Sequence, residues 1–413
     1  MIGVAVLGYG TVGSGVYEVL KINSDSIKRK AGEELKVLNV LDLRNFPGDE
    51  VETVLTHDYE DILNNDDIKI VAEVMGGVEP AFTFSKKALM KGKSVVTSNK
   101  ALVAAHGPEL MKIAKENNAN YLFEASCGGG IPIIRPLCVS LTADKINSIK
   151  GILNGTTNFI LTKMTEEGKD FNEVLKTAQS LGYAEADPTA DIGGHDPCRK
   201  IAILSSLAFG KTVDFNKIYT EGITKITDKD ISYGKKLNSV IKLIGSSNKI
   251  GDSISAMVAP FFFNEKHPLA SVNNAFNAIF VNGNMSGDTM YYGSGAGKLP
   301  TASAVVADII DCALHLGKNV PIDWDCDSSM DVLPIDDVPV KALIRVAYED
   351  IENAKKAVCD VFGAKVFIDL DEDDDEFAFI AENETEGSVK EKKEKLSSFA
   401  AVKEVRNMIR MEG

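Results

Sequence analysis

The sequence has few cysteines, and none of them forms a CxxC pair. The chain contains six cysteines and only five histidines, which do not cluster. A disulfide framework and a zinc site are therefore not expected. The scatter predicts buried, reduced thiols in a cytoplasmic protein, at positions 127, 138, 198, 312, 326 and 359.

Basic residues and long apolar runs are also scarce. Against 60 acidic residues there are 45 Lys plus Arg, a formal net charge of −15. Nucleic acids and anionic membranes bind basic surfaces, so neither is expected as a partner. No run of 18 apolar residues occurs, and the chain opens on a strand instead of a signal peptide. A soluble protein of the cytoplasm is therefore expected.

The acidic residues are concentrated near the C-terminus. Residues 319–413 contain 24 acidic and 12 basic residues, which leaves 36 and 33 for the first 318. Residues 319–337 hold six Asp, two Pro and no Lys or Arg, so they are predicted to be an acidic linker. A length of 413 residues is typical of two to three domains.

The order of predicted elements gives three folding regions. Strands and helices alternate over residues 1–131, which predicts an N-terminal Rossmann domain with a doubly wound parallel sheet, completed by residues 300–318. Residues 132–299 are predicted to form a mixed α/β domain for substrate binding and dimerisation. Residues 338–413 follow a β-α-β-β-α-β order, which is typical of a ferredoxin-like domain.

A glycine motif lies between the first predicted strand and the first helix. Gly8, Gly10 and Gly13 form G-Y-G-T-V-G, and this pattern binds a dinucleotide pyrophosphate at a helix N-terminus. After the second strand, Asp42 offers a carboxylate for the ribose diol of NAD, and Arg44 offers a cation for the 2′-phosphate of NADP. Asp42 favours NAD, and Arg44 leaves NADP open.

Residues 178–200 concentrate four acids and end in a lysine. If Asp196 begins a helix, Asp196 and Lys200 lie on one face and can form a carboxylate–ammonium pair. The alternative is an exposed acidic loop in which Asp196 is an ordinary N-cap before Pro197.

This segment resembles the signature of the homoserine dehydrogenase family. The family-like blocks VTSNKAL, LFEASCGGGIPII, GILNGTTNFI and GSGAGKLPTASAVVAD accompany it, so the resemblance covers about residues 1–318. The signature positions in register are Ala178, Gly182, Tyr183, Ala184, Asp187, Pro188, Asp191, Ile192, Gly194, Asp196 and Lys200.

The resemblance implies reversible NAD(P)-dependent oxidation of L-homoserine to L-aspartate 4-semialdehyde, a step toward threonine and methionine. It implies that Lys200 is the proton donor and that Asp196 orients substrate and lysine. Lys100 would reach the same oxygen and also bind the coenzyme at the nicotinamide edge. Glu185, Asp191 and Thr156 would bind the substrate. The remaining coenzyme contacts would come from Thr11, Val12, Gly76 and Gly297.

The resemblance also implies a bound monovalent cation, Na⁺ or K⁺. Its ligands would be Glu124 and the carbonyl oxygens of Cys127, Gly129 and Ile131. Oxygen ligands of this kind suit a hard cation.

The C-terminal region resembles an ACT regulatory domain that binds an amino-acid effector, and a homodimer or homotetramer is expected. The usual D-x-P-G turn is replaced by Tyr348-Glu349-Asp350-Ile351, so a dimerisation module without a ligand is the alternative. For the whole chain, two alternatives remain: a Rossmann dehydrogenase for another amino-acid semialdehyde, and a non-catalytic amino-acid sensor built on a dehydrogenase.

Overall fold

A computed structural model describes residues 1–370 and 375–412. The chain divides into two compact units. The first comprises Met1–Ile149, Arg199–Phe215 and Asn277–Met330, and the second comprises Lys150–Cys198, Asn216–Phe276 and Asp331–Gly413. Both units are therefore built from segments that are distant in sequence.

The N-terminal third alternates strands and helices. In chain order these are β1 (Ile2–Leu7), α1 (Thr11–Ile22), α2 (Ser24–Ala31), β2 (Leu35–Leu41), β3 (Leu55–Thr56), α3 (Tyr59–Leu63), β4 (Ile68–Glu73), α4 (Ala81–Met90), β5 (Ser94–Thr97), α5 (Lys100–Glu116) and β6 (Tyr121–Leu122).

These strands form a parallel sheet in the order β3-β2-β1-β4-β5-β6. This is the strand order of the Rossmann fold, in which ligands bind where the winding direction reverses, here between β1 and β4. All six residues of β1 are buried, as expected for a parallel strand covered on both faces. The predicted fold class is confirmed for this region.

The middle of the chain continues with β7 (Ile146–Ile152), α6 (Gly155–Glu167), α7 (Phe171–Ser180), α8 (Thr189–Ile192), α9 (His195–Phe209), β8 (Lys211–Thr212), β9 (Tyr219–Thr220), α10 (Asp228–Lys236), β10 (Ser239–Ile250), β11 (Ser253–Asn264), β12 (Phe276–Gly283), β13 (Gly287–Ser294) and α11 (Lys298–Leu314). In the first unit, α11 packs on α1 so closely that a Cβ at Gly15 would lie 2.8 Å from the carbonyl oxygen of Lys298. Its apolar side chains join the Rossmann core.

The C-terminal part contains β14 (Asp325–Ser329), β15 (Pro339–Tyr348), α12 (Ile351–Phe362), β16 (Phe367–Ile368), β17 (Glu376–Thr385), α13 (Glu386–Leu396) and β18 (Val402–Met411). From β15 onward this is the predicted β-α-β-β-α-β order. Its strands lie side by side as β18-β15-β17-β16 and are antiparallel. Residues 371–374 and 413, within the predicted C-terminal domain, lie outside the described residues.

Within the second unit, this C-terminal module shares its sheet with the preceding segment. Strand β18 pairs in parallel with β11, and β11 pairs antiparallel with β10 over their full length.

The segment predicted to be an acidic linker is ordered at its start, because β14 pairs with β8 in the first unit and the Trp324 indole donates to the Thr212 hydroxyl at 2.9 Å. All six cysteines are free thiols, three of them buried and Cys359 exposed.

Candidate active site

The glycine-rich loop after β1 has the geometry of a pyrophosphate site. A Cβ at Gly13 would lie 1.9 Å from the carbonyl oxygen of Gly8, so only glycine lets the loop and α1 pack this closely. At Gly10 a Cβ would meet no protein atom within 4 Å. Gly10 therefore leaves open space at the N-terminus of α1, where amide donors and the helix dipole favour phosphate.

A cavity of about 560 Å³ lies beside this loop, at the C-terminal ends of β1, β2 and β4. Gly76, another residue predicted to bind coenzyme, lines it and likewise has no protein atom within 4 Å of its Cβ position. The cavity is large enough for part of a dinucleotide, and the residues present fit that group. Its other lining residues include Gly8, Gly10, Asp42, Arg44, Tyr59 and Phe84.

Asp42 and Arg44 are both at the cavity, and they are bonded to each other. The Arg44 side chain donates to both carboxylate oxygens of Asp42 at 2.9 Å, and the Tyr9 amide donates to one of them at 2.7 Å. The hydrogen bonds from Arg44 hold the pKa of Asp42 well below its usual range. The acid and the cation predicted for the two coenzymes thus form one ion pair.

A buried network that the sequence did not reveal organises the loops after β4 and β5. Glu73 accepts from the Met75 amide at 2.9 Å and from the Thr97 hydroxyl at 2.6 Å. Asn99 caps α5 and donates to the Gly77 carbonyl at 2.6 Å. Desolvation raises the pKa of Glu73. These bonds fix the loop that carries Gly76 and the start of α5, where Lys100 is the first residue.

In the second unit, the acidic signature residues converge on the N-terminus of α6. The Asn154 amide donates to Asp191 at 2.7 Å and to Asp196 at 2.9 Å. The Asn154 side chain also caps α6 by accepting from the Thr157 amide. Asp196 is only 5% exposed, so the alternative of an exposed acidic loop is wrong for this residue.

The other predicted substrate residues lie around the same helix end. Thr156, in the first turn of α6, donates to the Tyr183 carbonyl at 2.5 Å. The carbonyl of Glu185 accepts from the Gln179 side chain, and the Glu185 residue is exposed. Lys200 belongs to the first unit and is buried on α9, the helix that begins at His195.

The loop predicted to hold a cation is tightly packed inside the first unit. One carboxylate oxygen of Glu124 accepts from the amides of Ile133 and Ile134. Among the described residues, the other oxygen accepts from the Arg135 amide alone. Since a carboxylate oxygen has two lone pairs, the second oxygen has one that this hydrogen bond does not use. A Cβ at Gly129 would lie 2.3 Å from the Gly295 carbonyl oxygen, which fixes the course of the loop.

Two more residues of the first unit support this loop. Asp308 on α11 accepts from the Glu124 amide at 2.8 Å and from the Arg135 side chain at 2.9 Å. Burial, with a smaller contribution from the Glu124 charge, raises the pKa of Asp308 to about 7. Gly297, a residue predicted to bind coenzyme, caps the N-terminus of the same helix with φ +127°, a conformation that favours glycine. Among the described residues there is no cluster of three or more His, Cys, Asp or Glu side chains able to hold a metal, but a site built from carbonyls would not form such a cluster.

A Rossmann sheet with an open glycine loop, together with buried carboxylate and lysine side chains on α9, defines an NAD(P)-dependent oxidoreductase. Two family models match the chain: homoserine dehydrogenase over residues 132–310, and the homoserine dehydrogenase NAD-binding domain over residues 8–124. The chain belongs to the homoserine dehydrogenase family, which confirms the resemblance found in the sequence.

Individual relatives agree with this assignment. The homoserine dehydrogenase of Bacillus subtilis is 46% identical over 310 residues, 74% of this chain and 72% of that protein. The Synechocystis homoserine dehydrogenase is 39% identical, and the match covers 99% of both chains.

Solved structures are similar as well. The crystal structure of a homoserine dehydrogenase from Thiobacillus denitrificans matches with a TM-score of 0.91 and 37% identity, covering 100% of this chain and 98% of that one. A hyperthermophilic archaeal homoserine dehydrogenase mutant in complex with NADPH matches with a TM-score of 0.66 and 30% identity, covering 78% of this chain and 99% of that one. No helix in the described part of the chain is long and apolar enough to cross a bilayer.

Proposed function

We propose that this chain catalyses the reversible NAD(P)-dependent oxidation of L-homoserine to L-aspartate 4-semialdehyde, in the synthesis of threonine and methionine. One observation carries the proposal. Asp196 and Lys200, in register with the family signature, are both buried on α9, at 5% and 8% exposure. Lysine is almost never buried unless it has a specific partner, so the burial of Lys200 favours a functional role over a surface one.

In this proposal Lys200, Asp196 and Lys100 have different roles in the reaction. The coenzyme, when bound, accepts the hydride from the alcohol carbon of homoserine. Lys200 takes up or returns the proton of the reacting oxygen, because aldehyde reduction needs a proton donor at that atom. Asp196 orients the substrate, and the ammonium of Lys100 stabilises negative charge on the oxygen.

The second unit supplies the substrate contacts in this proposal. Glu185 and Asp191 bind the ammonium group of homoserine through their negative charge. The amides at Gly155 and Thr156 receive the substrate carboxylate, because the first turn of a helix offers free N–H donors and a positive dipole.

The Lys200→Ala variant tests the proposal. It is expected to lose turnover with L-homoserine by about two orders of magnitude or more, the scale of positioned acid–base catalysis, while still binding coenzyme. Coenzyme reduction followed by absorbance measures turnover, and titration of protein fluorescence measures coenzyme binding. The control is Lys176→Ala, because Lys176 is an exposed lysine of α7. Near-normal turnover of Lys200→Ala would exclude the assigned role.

The same assay separates the two alternatives. A wild-type protein that reduces coenzyme with another amino-acid alcohol but not with homoserine would be a dehydrogenase for a different semialdehyde. A protein that binds coenzyme and amino acids without turnover would be a sensor. The buried position of Lys200 favours the enzyme, since a sensor has no need for a proton donor.

For coenzyme choice we propose that both NAD and NADP are accepted. The Asp42 carboxylate can bind the ribose diol of NAD once Arg44 moves aside. The Arg44 side chain is 61% exposed, so it has room to turn from Asp42 toward a 2′-phosphate. Comparing the two coenzymes in the homoserine assay measures the preference.

We also propose a monovalent cation, Na⁺ or K⁺, in the loop of Glu124, Cys127, Gly129 and Ile131. The lone pair left on Glu124 and the backbone carbonyls of the other three residues suit a hard cation of low charge. Activity measured in tetramethylammonium buffer, with Na⁺ or K⁺ then added back, tests the requirement.

An amino-acid effector at the ACT-like module is the regulatory part of the proposal. A cavity of about 930 Å³ within the second unit is lined by both cations and anions, as a zwitterionic ligand requires. Burial lowers the pKa of Lys393, which lines the cavity, so an anionic ligand group would stabilise its charge. The other charged lining residues are Glu221, Lys225, Asp336, Arg345, Glu386, Lys390, Glu394, Glu404, Arg406 and Arg410.

The cavity wall continues to the signature loop. Glu221 forms an ion pair with Arg410 at 2.8 Å, and two residues further the Ile223 amide donates to the Ile192 carbonyl at 2.9 Å. A Cβ at Gly222 would lie 1.9 Å from that carbonyl oxygen. A ligand that moves Arg410 would therefore disturb the loop that carries Asp191.

Calorimetric titration of the full chain with L-threonine tests the effector site. Binding is expected for the wild type and the Lys395→Ala control, because Lys395 is exposed on α13 and does not line the cavity. Weaker binding is expected for Lys393→Ala. Equal binding by all three proteins would place the effector elsewhere, and no binding at all would favour a dimerisation module without a ligand.

The remaining parts of the proposal concern assembly and location. We propose a homodimer or homotetramer in the cytoplasm, with the small-molecule substrate as the main partner. Cytoplasmic location agrees with six free cysteines. Light scattering on the purified protein measures the assembly.

A further inference from the structure

Asn154, which follows β7 and precedes α6, holds two signature carboxylates together. One amide hydrogen is directed at Asp191 (Nδ2 to Oδ1 2.7 Å) and the other at Asp196 (Nδ2 to Oδ2 2.9 Å). The residue is 6% exposed, so water competes little for these bonds.

The orientation of the amide is fixed by the helix that follows. Its oxygen accepts from the Thr157 amide at 2.9 Å. The Thr157 hydroxyl lies 3.0 Å from the same oxygen and 3.1 Å from the Asn154 carbonyl oxygen, so its one hydrogen is shared between them. A flipped amide would turn its NH₂ toward a backbone N–H and its oxygen toward two carboxylates, and both contacts would be repulsive. Capping α6 therefore forces both donors toward the acids.

All four hydrogen-bonding positions of the Asn154 side chain are thus occupied, two as donor and two as acceptor. Two carboxylates close together repel each other, and amide hydrogen bonds to both oppose this repulsion. No other uncharged side chain of similar size both caps a helix and donates two hydrogen bonds.

We propose that Asn154 is a positioning residue for the reaction, holding Asp191 and Asp196 in a fixed, close arrangement from which they meet the substrate. This inference rests on the proposed function, because it assigns the two acids to homoserine. It adds a requirement for an uncharged amide at position 154, beyond the capping of α6.

Two variants separate bridging from capping. Asn154→Asp keeps the size and the cap but replaces both donors with a carboxylate, and Asn154→Ser keeps a cap but is too short to reach the acids. Bridging predicts a loss of kcat/KM for homoserine of about 10-fold to 100-fold for Ser and a larger loss for Asp, with the KM for coenzyme unchanged. Capping alone predicts near-normal activity for both.

The matched control is Asp170→Ser, which exchanges the exposed N-cap of α7 in the same unit. It should leave both KM values unchanged. Asn154→Asp activity within about twofold of wild type would overturn the proposal, since this is smaller than the effect of a misplaced catalytic group.

A measurement without substrate keeps the bridge separate from the enzyme assignment. In a double-mutant cycle on the free energy of unfolding, Asn154→Ser and Asp196→Asn should be non-additive, and Asn154→Ser with Asp170→Ser should be additive. Additivity of the first pair would overturn the bridge whatever the substrate is. Failure of the wild type to oxidise homoserine would overturn the proposed function alone.

Discussion

At the scale of single residues, the glycine motif contains two kinds of glycine. Gly13 is required by the protein itself, because a Cβ there would meet a backbone oxygen. Gly10 has no such neighbour, so the reason for glycine must lie in what approaches it from outside. The sequence pattern alone treats the two positions alike, and only the packing distinguishes them.

Alanine variants should separate these two roles. Gly13→Ala is expected to lower the free energy of unfolding by about 2 kcal/mol, because overpacking against rigid backbone costs about 1 to 3 kcal/mol. Gly10→Ala should cost less than about 1 kcal/mol, the scale of an N-cap change. It should still weaken coenzyme binding about tenfold or more, since about 1.4 kcal/mol of lost phosphate contact suffices.

Thermal unfolding without coenzyme and fluorescence titration with NAD(P)H measure the two effects. Each variant serves as the control for the other, because Gly10 is the N-cap of α1 and Gly13 lies three residues further, in its first turn. Equal stability losses with equal binding losses would contradict the distinction between the two glycines.

At the scale of elements, period and caps predicted most of the fold. The β-α-β-β-α-β order predicted for residues 338–413 is observed from β15 onward, and its first helix, α12, spans Ile351–Phe362. Helix α5 fits the predicted alternation of strands and helices, and it continues through Gly107-Pro108, a pair that is typical of turns.

Strand β10 mixes apolar and polar residues, so its sequence gives only a weak strand signal. Lys242 is buried there, and its ammonium donates to the Val272 carbonyl at 2.6 Å and to the side chain of Asn158 at 3.2 Å. Those acceptors are distant in sequence, so no local pattern reveals that a charge at this position is satisfied.

The candidate site shows the same division. The signature spacing predicted Asp191, Asp196 and Lys200 as site residues, because these residues lie within one segment. The residues that hold the site in place were not predicted. Asn154, which binds Asp196, is 42 residues away from it in sequence. Glu73, which binds Thr97 in the neighbouring loops, is 24 residues away from that residue. Contacts across such separations depend on the sheet topology, which the sequence pattern gives only in outline.

At the scale of the whole molecule, some charged residues of the acidic C-terminal region form buried ion pairs inside the second unit. Arg345 on β15 forms ion pairs with Asp230 at 2.7 Å and with Glu376 at 2.8 Å, and all three side chains are buried. Arg410 pairs with Glu386 at 2.6 Å and reaches Glu221. Two cations of the C-terminal module thus neutralise acids of the preceding segment, so the module is part of this unit's core.

Deleting residues 338–413 should therefore destabilise the second unit. The deletion removes β18 from the edge of β11 and the Arg345 guanidinium from the fully buried Asp230 carboxylate. An unpaired strand edge promotes aggregation, and an unpaired buried carboxylate is strongly destabilising. We expect mostly insoluble protein, measured as the soluble fraction after expression at equal levels.

A point variant gives the same test in a chain of full length. Arg345→Met should lower the free energy of unfolding by about 3 to 5 kcal/mol, because it leaves the Asp230 carboxylate buried without its cation. Glu376 loses one of two cations and keeps its ion pair with Arg406. Lys341→Met on the same strand is the control, because its pair with Glu382 is exposed at 40% and 54% and should be worth at most about 1 kcal/mol. If both variants unfold like the wild type and the shortened chain is soluble, the C-terminal module is a separable appendage, and the buried ion pairs contribute little to the second unit.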